Sequence, residues 1–76
     1  MEHLLVKTIL IKDVIELISE KYKISLDESR DRVYLSGVVE SIENDETGLY
    51  GESALYIFSI YEKKIMDYNL NNVDRG

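Results

Sequence analysis

The sequence predicts a small all-α domain, a bundle of three to four short helices. Apolar residues recur at three- and four-residue steps in two long stretches, the chain contains no proline, and helix-capping patterns separate the stretches. With 76 residues, 45% of them hydrophobic, the chain has material for one small core. We therefore expect a single helical domain over residues 1–68 and a mobile polar tail over residues 69–76.

The first long stretch predicts a helix over residues 7–23. Its apolar face is formed by Leu10, Ile11, Val14, Ile15, Ile18 and Tyr22. Residues 4–11 are also rich in β-branched side chains, so a short strand at the start is an alternative.

A second helix is predicted over residues 26–35. Residues 25–28 (Ser-Leu-Asp-Glu) form a capping box, in which the Ser25 hydroxyl and the Glu28 carboxylate each accept from the other's backbone N–H. We expect this helix to bury Leu26, Val33 and Tyr34. Gly37 is placed to end it in a left-handed conformation.

A short third helix is expected over residues 38–43, with Val39 and Ile42 inward. Residues 44–48 (Asn-Asp-Glu-Thr-Gly) have the composition of a turn. Residues 49–52 are expected to be irregular or briefly extended.

Ser53 is expected to cap a last helix that ends near Asp67. The predicted buried face of this helix consists of Leu55, Phe58, Ile65 and Met66, widened by Tyr56, Ile57, Ile60 and Tyr61.

The negative charge is concentrated in an acidic stretch, residues 33–62, that contains no Lys or Arg. Its acids are Glu40, Glu43, Asp45, Glu46, Glu52 and Glu62, and they account for the whole net charge of −6. Such a surface repels phosphate backbones and anionic membranes, so we expect no direct nucleic-acid or membrane binding. It attracts basic protein surfaces. A solvated face that serves only solubility is the alternative.

The composition also limits the cellular setting and the chemistry. The absence of cysteine excludes disulfides and thiol nucleophiles. No apolar run is long enough to cross a bilayer, and the N-terminus lacks the pattern of a signal peptide. We therefore expect a cytoplasmic protein.

No motif predicts a catalytic, cofactor-binding or metal-binding residue. His3, the only histidine, lies next to the terminus. A calcium loop starting at Glu43 fails because Ala54 occupies the position of the bidentate carboxylate. Residues 48–51 (Gly-Leu-Tyr-Gly) lack the lysine of a phosphate loop. Carboxylate pairs within the acidic stretch leave a small hydrolase as a remote alternative.

Six tyrosines, against one Phe and no Trp, are a marked bias. Tyrosine is common at the edge of small cores and also at binding hot spots. Leu49 and Tyr50, between two glycines, are expected either to fill the core or to project as contact residues.

Three segments resemble a small uncharacterised bacterial family: residues 22–28 (Tyr-Lys-Ile-Ser-Leu-Asp-Glu), 34–37 (Tyr-Leu-Ser-Gly) and 45–56 (Asp-Glu-Thr-Gly-Leu-Tyr-Gly-Glu-Ser-Ala-Leu-Tyr). The resemblance covers roughly residues 12–62, and Ala54 stands where the family commonly has proline. Such proteins are similar to those encoded beside toxin–antitoxin-like genes, including genes for ADP-ribosyltransferase-like toxins. The resemblance implies a small neutralising partner and transfers no catalytic residue.

Together these observations predict a non-enzymatic protein-binding module, an antitoxin or accessory subunit that occludes a basic or aromatic-lined site on its partner. The predicted partner-binding residues are Glu43, Asp45, Glu46, Leu49, Tyr50, Glu52, Tyr56 and Tyr61. The alternative is a phage-type inhibitor of a defence nuclease that mimics nucleic acid with its carboxylates. A homodimer remains open.

Overall fold

The computed structural model describes the backbone of residues 4–75 and the side chains of residues 4–67. The all-α prediction is confirmed, since these residues form helices and turns without a strand. The elements are α1 (Leu4–Tyr22), α2 (Leu26–Leu35), α3 (Val38–Glu43), two 3₁₀ turns (Asp45–Thr47 and Leu49–Gly51) and α4 (Ala54–Arg75).

Helix α1 lies at the centre of the bundle and packs against the other three helices. It begins at Leu4, so the alternative of an initial strand is wrong. The helical spacing of Leu10, Val14 and Ile18 prevails over local β-propensity because it places all three side chains in the core. After α1 the backbone turns sharply at Lys23, whose φ is +58°.

Helix α2 has the predicted bounds and N-cap. The Glu28 backbone N–H donates to Ser25 Oγ at 3.1 Å. The reciprocal contact of the capping box is replaced, since Glu28 Oε2 accepts from Arg32 Nη2 at 2.8 Å. The Ser29 hydroxyl donates to the Ser25 carbonyl at 2.8 Å, which satisfies its buried oxygen.

The buried face of α2 is narrower than predicted. Val33 is buried as expected, but Leu26 and Tyr34 are 55% and 53% exposed. Their predicted burial is wrong because Ser29 and Val33, one turn apart, form the side that enters the core.

Gly37 separates α2 from α3 in the left-handed conformation that was predicted, with φ +86°. The adjacent Ser36 hydroxyl donates to the Val33 carbonyl at 2.6 Å and accepts from the Val38 N–H at 3.2 Å. Helix α3 then buries Val39 and Ile42 as predicted, and Val38 as well.

Helix α4 begins after Ser53, whose Oγ accepts from the Tyr56 N–H at 3.2 Å. Its backbone continues to Arg75, past the predicted end at Asp67. The expected mobility of the tail, residues 69–76, stays a prediction, because the side chains of residues 68–76 lie outside the described part of the chain.

The predicted buried face of α4 is confirmed in part: its centre is shifted towards residues that were expected only to widen it. Within residues 54–67, Ile57 and Tyr61 are fully buried, whereas Leu55 and Met66 are 67% and 62% exposed. Phe58 is partly buried against the core. Both sets of residues satisfy helical spacing, and packing against α1 and α3 selects one of them.

The core joins side chains from all four helices. Its buried hydrophobic members are Leu10, Val14, Ile18, Val33, Val38, Val39, Ile42, Ile57 and Tyr61. The core is small, so single large-to-small substitutions within it remove a large share of the apolar contacts.

Candidate functional site

The linker (residues 44–53) is an ordered, hydrogen-bonded structure. Asn44 Oδ1 accepts from the Glu46 N–H at 3.0 Å and so caps the first 3₁₀ turn. The Thr47 hydroxyl donates to the Ser41 carbonyl at 2.6 Å and accepts from the Leu49 N–H at 3.2 Å. The second 3₁₀ turn, over residues 49–51, replaces the irregular conformation that was expected there, whereas Glu52 is extended as expected.

Gly48 joins the two turns in a left-handed conformation, with φ +69°. A Cβ at this position would meet no atom within 4 Å, so any cost of a larger residue would come from backbone strain. The glycine allows the chain to reverse between the acidic residues and the Leu49–Tyr50 pair.

Lys7 of α1 fixes the linker to the bundle. Its Nζ donates to the Glu43 carbonyl at 3.0 Å and to Asp45 Oδ1 at 2.5 Å. The same ammonium group lies 5.5 Å from the centre of the Tyr50 ring, within cation–π range. The Lys7 side chain is only 15% exposed, against 67% for Asp45. A cation from α1 is therefore placed within a stretch that has none of its own.

The linker and α1 together form an apolar groove of about 350 Å³. Its apolar lining comes mainly from Val6, Ile9 and Leu10 on α1 and from Tyr50 on the linker. Val6 and Ile9 remain 47% and 50% exposed. Two further carboxylates take part in the lining, and the complete set is Val6, Ile9, Leu10, Asp13, Tyr50, Glu52 and Ala54. Such a groove suits a ligand that carries both apolar and basic groups.

Most of the residues predicted to bind a partner are accessible. The carboxylate residues Glu43, Asp45, Glu46 and Glu52 are exposed, Leu49 and Tyr50 are half-buried, and Tyr56 is 49% exposed. Asp45 and Tyr50 are brought together at Lys7, and Tyr50 and Glu52 meet at the groove. Tyr56 lies on α4 and does not line the groove.

Tyr61 was predicted to contact the partner, and this prediction is wrong. The residue is 2% exposed and is the largest of the fully buried side chains. Burial raises the pKa of its hydroxyl, while the charge of Arg32 and a hydrogen bond with it act in the opposite direction. Tyr61 therefore belongs to the core.

Sequence reasoning missed Lys7, Val6, Ile9 and Asp13. The signal for Ile9 is present, because it lies off the stripe formed by Leu10, Val14 and Ile18. Val6 continues that stripe at the four-residue step, so its exposure carries no such signal. Lys7 carries no comparable signal, since its partner Asp45 lies 38 positions away.

A second polar cluster lies at the C-terminal end of α1. The Tyr22 hydroxyl donates to Glu62 Oε2 at 2.7 Å, and Lys21 Nζ forms an ion pair with the same oxygen. The Glu62 hydrogen bond is the main cause that raises the pKa of Tyr22 to about 12. The Lys21 and Tyr22 hydrogen bonds lower the pKa of Glu62. This cluster holds the end of α1 against α4.

Within the described residues, the other candidates for catalysis or metal binding do not form a defined site. His3 lies outside the described residues. Within residues 4–67, no three carboxylate or imidazole side chains converge where they could hold a metal ion. Asp45, a member of the carboxylate pairs considered for a hydrolase, already forms an ion pair with Lys7.

Comparison with known protein families, curated proteins and solved structures finds no match to this chain. No helix in the described part of the chain combines the length and apolarity needed to span a membrane.

Proposed function

We propose that this chain is a non-enzymatic protein-binding module, and that its docking surface is the groove between α1 and the linker. The surface combines exposed Val6 and Ile9, the Tyr50 ring and the carboxylates of Asp13 and Glu52. We expect the partner to insert apolar side chains into the groove and to place basic groups against the carboxylates around it.

The observation that carries this proposal is the position of Lys7. By binding Glu43 and Asp45 and lying against Tyr50, it holds the linker beside the groove before any partner arrives. A surface that is already ordered loses less conformational entropy on binding. An acidic face kept only for solubility would not need this internal cation.

The form of the interaction follows from the family resemblance. We propose an antitoxin or accessory subunit, working in the cytoplasm, that covers a basic or aromatic-lined site on its partner. Buried apolar contacts would give the affinity, and the exposed Glu43, Glu46 and Glu52 would accelerate the encounter.

The contact between Lys7 and Asp45 favours a protein-docking surface over a nucleic-acid mimic. A mimic presents carboxylates at full charge to a phosphate-binding site, whereas Lys7 offsets the charge of Asp45. The two functions differ in salt response: mimicry should weaken steeply with ionic strength, whereas docking in an apolar groove should weaken less.

Affinity capture from the source cells, followed by quantitative mass spectrometry, tests the proposal. Wild type and Tyr34→Ala should recover the same partner in equal amounts, because Tyr34 is exposed on α2 and does not line the groove. Tyr50→Ala and Ile9→Ser should each weaken its binding by more than about 1 kcal/mol, or about fivefold. Equal recovery by all four proteins would show that the groove is not the docking surface.

A further inference from the structure

A second and larger opening lies at the other end of α1. This cleft, about 810 Å³ in volume, is formed where the ends of α1 and α2 meet the middle of α4. Along α1, its residue Tyr22 lies about 22 Å from Lys7, at 1.5 Å per residue. The cleft is therefore separate from the groove proposed above.

The cleft has ordered walls. The Tyr22 hydroxyl is held by Glu62 at 2.7 Å, and the buried Tyr61 contributes to the lining. Arg32 is held from one side by Glu28, at 2.8 Å from its Nη2. Arg32 also forms a hydrogen bond with the Tyr61 hydroxyl. A guanidinium group has five N–H donors, so these two contacts leave donors available for a ligand.

The described lining of the cleft contains more cations than carboxylates, unlike the acidic stretch. Among residues 4–67, Arg32 and Lys64 line it together with the carboxylate of Asp67, and Arg32 is in addition ion-paired with Glu28. Among the side chains of residues 4–67, Lys64 has no ion-pair partner. An incoming carboxylate would give Lys64 a partner and would be repelled from the Asp67 side.

Apolar side chains at the rim of the cleft are exposed to solvent. Leu35, at its edge, is 88% exposed, and Ile65 on the facing helix is 37% exposed. Leu35 lies on α2 and Lys64 on α4, so a ligand that contacts both must span the cleft. A polypeptide segment is long enough to cover Leu35 and to reach Lys64 as well.

We propose that the cleft docks a segment of a partner protein in which large apolar side chains alternate with carboxylates. The apolar side chains lie on Leu35, Ile65 and the Tyr22 ring, and a carboxylate lies between Arg32 and Lys64. This ligand is opposite in charge to the one proposed for the groove, so the two sites bind different segments. The inference stands whether or not the groove binds a partner.

Selection of random peptides displayed on phage tests the proposal, with the full chain immobilised as bait. Peptides that combine Leu, Ile or Phe with Asp or Glu should be enriched over a matched empty support. The Arg32→Gln/Lys64→Gln double variant should bind these peptides about fivefold or more weakly. Lys12→Gln/Arg30→Gln makes the same change in net charge outside the cleft and should leave their binding unchanged.

Leu35→Ser keeps the test decisive if the double variant is unstable, because a side chain that is 88% exposed contributes little to folding. Leu35→Ser should also bind the selected peptides more weakly than wild type does. The proposal is overturned if no acidic apolar peptide is enriched, if binding responds to the control variant instead, or if only Tyr50→Ala weakens it. It is also overturned if sedimentation shows self-association that Leu35→Ser abolishes, since a second copy would then cover the cleft.

Discussion

Lys7 Nζ lies 2.5 Å from Asp45 Oδ1, and this contact joins the first helix to a linker 38 positions further along the chain. This contact holds part of the acidic stretch in a fixed position against α1. The contact also places Tyr50 against an ammonium group and beside Val6 and Ile9.

Replacing Lys7 by Met should therefore loosen the linker. We expect faster amide hydrogen exchange over residues 44–52 and a loss of about 1 kcal/mol in the free energy of unfolding, because a partly buried charged donor is removed from two acceptors. Lys12→Met is the matched control, since its 3.6 Å pair with Glu16 is exposed and local. Equal exchange in the two variants would mean that the linker is ordered without Lys7.

Tyr22 should ionise late. Since its folded-state pKa of about 12 exceeds the ordinary value of 10.0, its hydrogen bond stabilises the fold fully below pH 10 and is lost as the pH rises through 12. Ultraviolet titration of tyrosinate should show a late-ionising component, to which the buried Tyr61 also contributes, and Tyr22→Phe should remove the part that belongs to Tyr22. In Glu62→Gln the Tyr22 midpoint should move down towards the ordinary value.

Glu62, the carboxylate of the same cluster, contributes to stability with the opposite dependence on pH. Because the pKa of Glu62 is lowered by Lys21 and Tyr22, its contribution to stability is present above its ordinary pKa and is lost as the pH falls through the lowered value. Carboxyl titration followed by NMR should show a higher Glu62 pKa in Lys21→Met than in wild type. An unchanged value would mean that the ion pair is not formed in solution.

Tyr61 and Tyr56 should respond in opposite ways to alanine. Tyr61→Ala leaves a cavity in a small core and should cost about 3–5 kcal/mol, the range for large aromatic truncations. Tyr56→Ala, at a position 49% exposed, should change the free energy of unfolding by less than about 0.5 kcal/mol. Urea denaturation followed by circular dichroism measures both, and similar losses would place Tyr56 in the core as well.

Removing the cap of α2 should destabilise the domain by about 1 kcal/mol in Ser25→Ala, because the Glu28 N–H loses its acceptor. Ser59→Ala is the control, since the Ser59 hydroxyl only donates to a carbonyl within α4. Thermal unfolding should show a lower midpoint for the cap variant alone. The N-cap is dispensable if the two midpoints agree.

The features that the sequence predicted correctly are those set by neighbouring residues. Ser25 and Glu28 define a helix start within one turn, and Gly37 can occupy a left-handed position that most residues avoid. Helix bounds near these residues were therefore predicted closely.

The features that the sequence did not predict depend on distant partners. Leu55 and Ile57 are both apolar and two positions apart, and only packing against α1 and α3 decides which is buried. Tyr61 was placed both in the widened buried face of α4 and among the partner-binding residues, and tertiary packing decides for burial. The groove forms because Val6 and Tyr50 lie close together in the fold. These residues are far apart in the sequence, so no local pattern predicts their proximity.

The connection between α1 and α2 has a kinetic consequence. Only residues 23–25 separate the two helices, so bringing them together costs little loop-closure entropy. We expect this helical hairpin to assemble early in folding and the Lys7–Asp45 contact to close late. The docking groove would then be the last part of the molecule to take shape as it refolds.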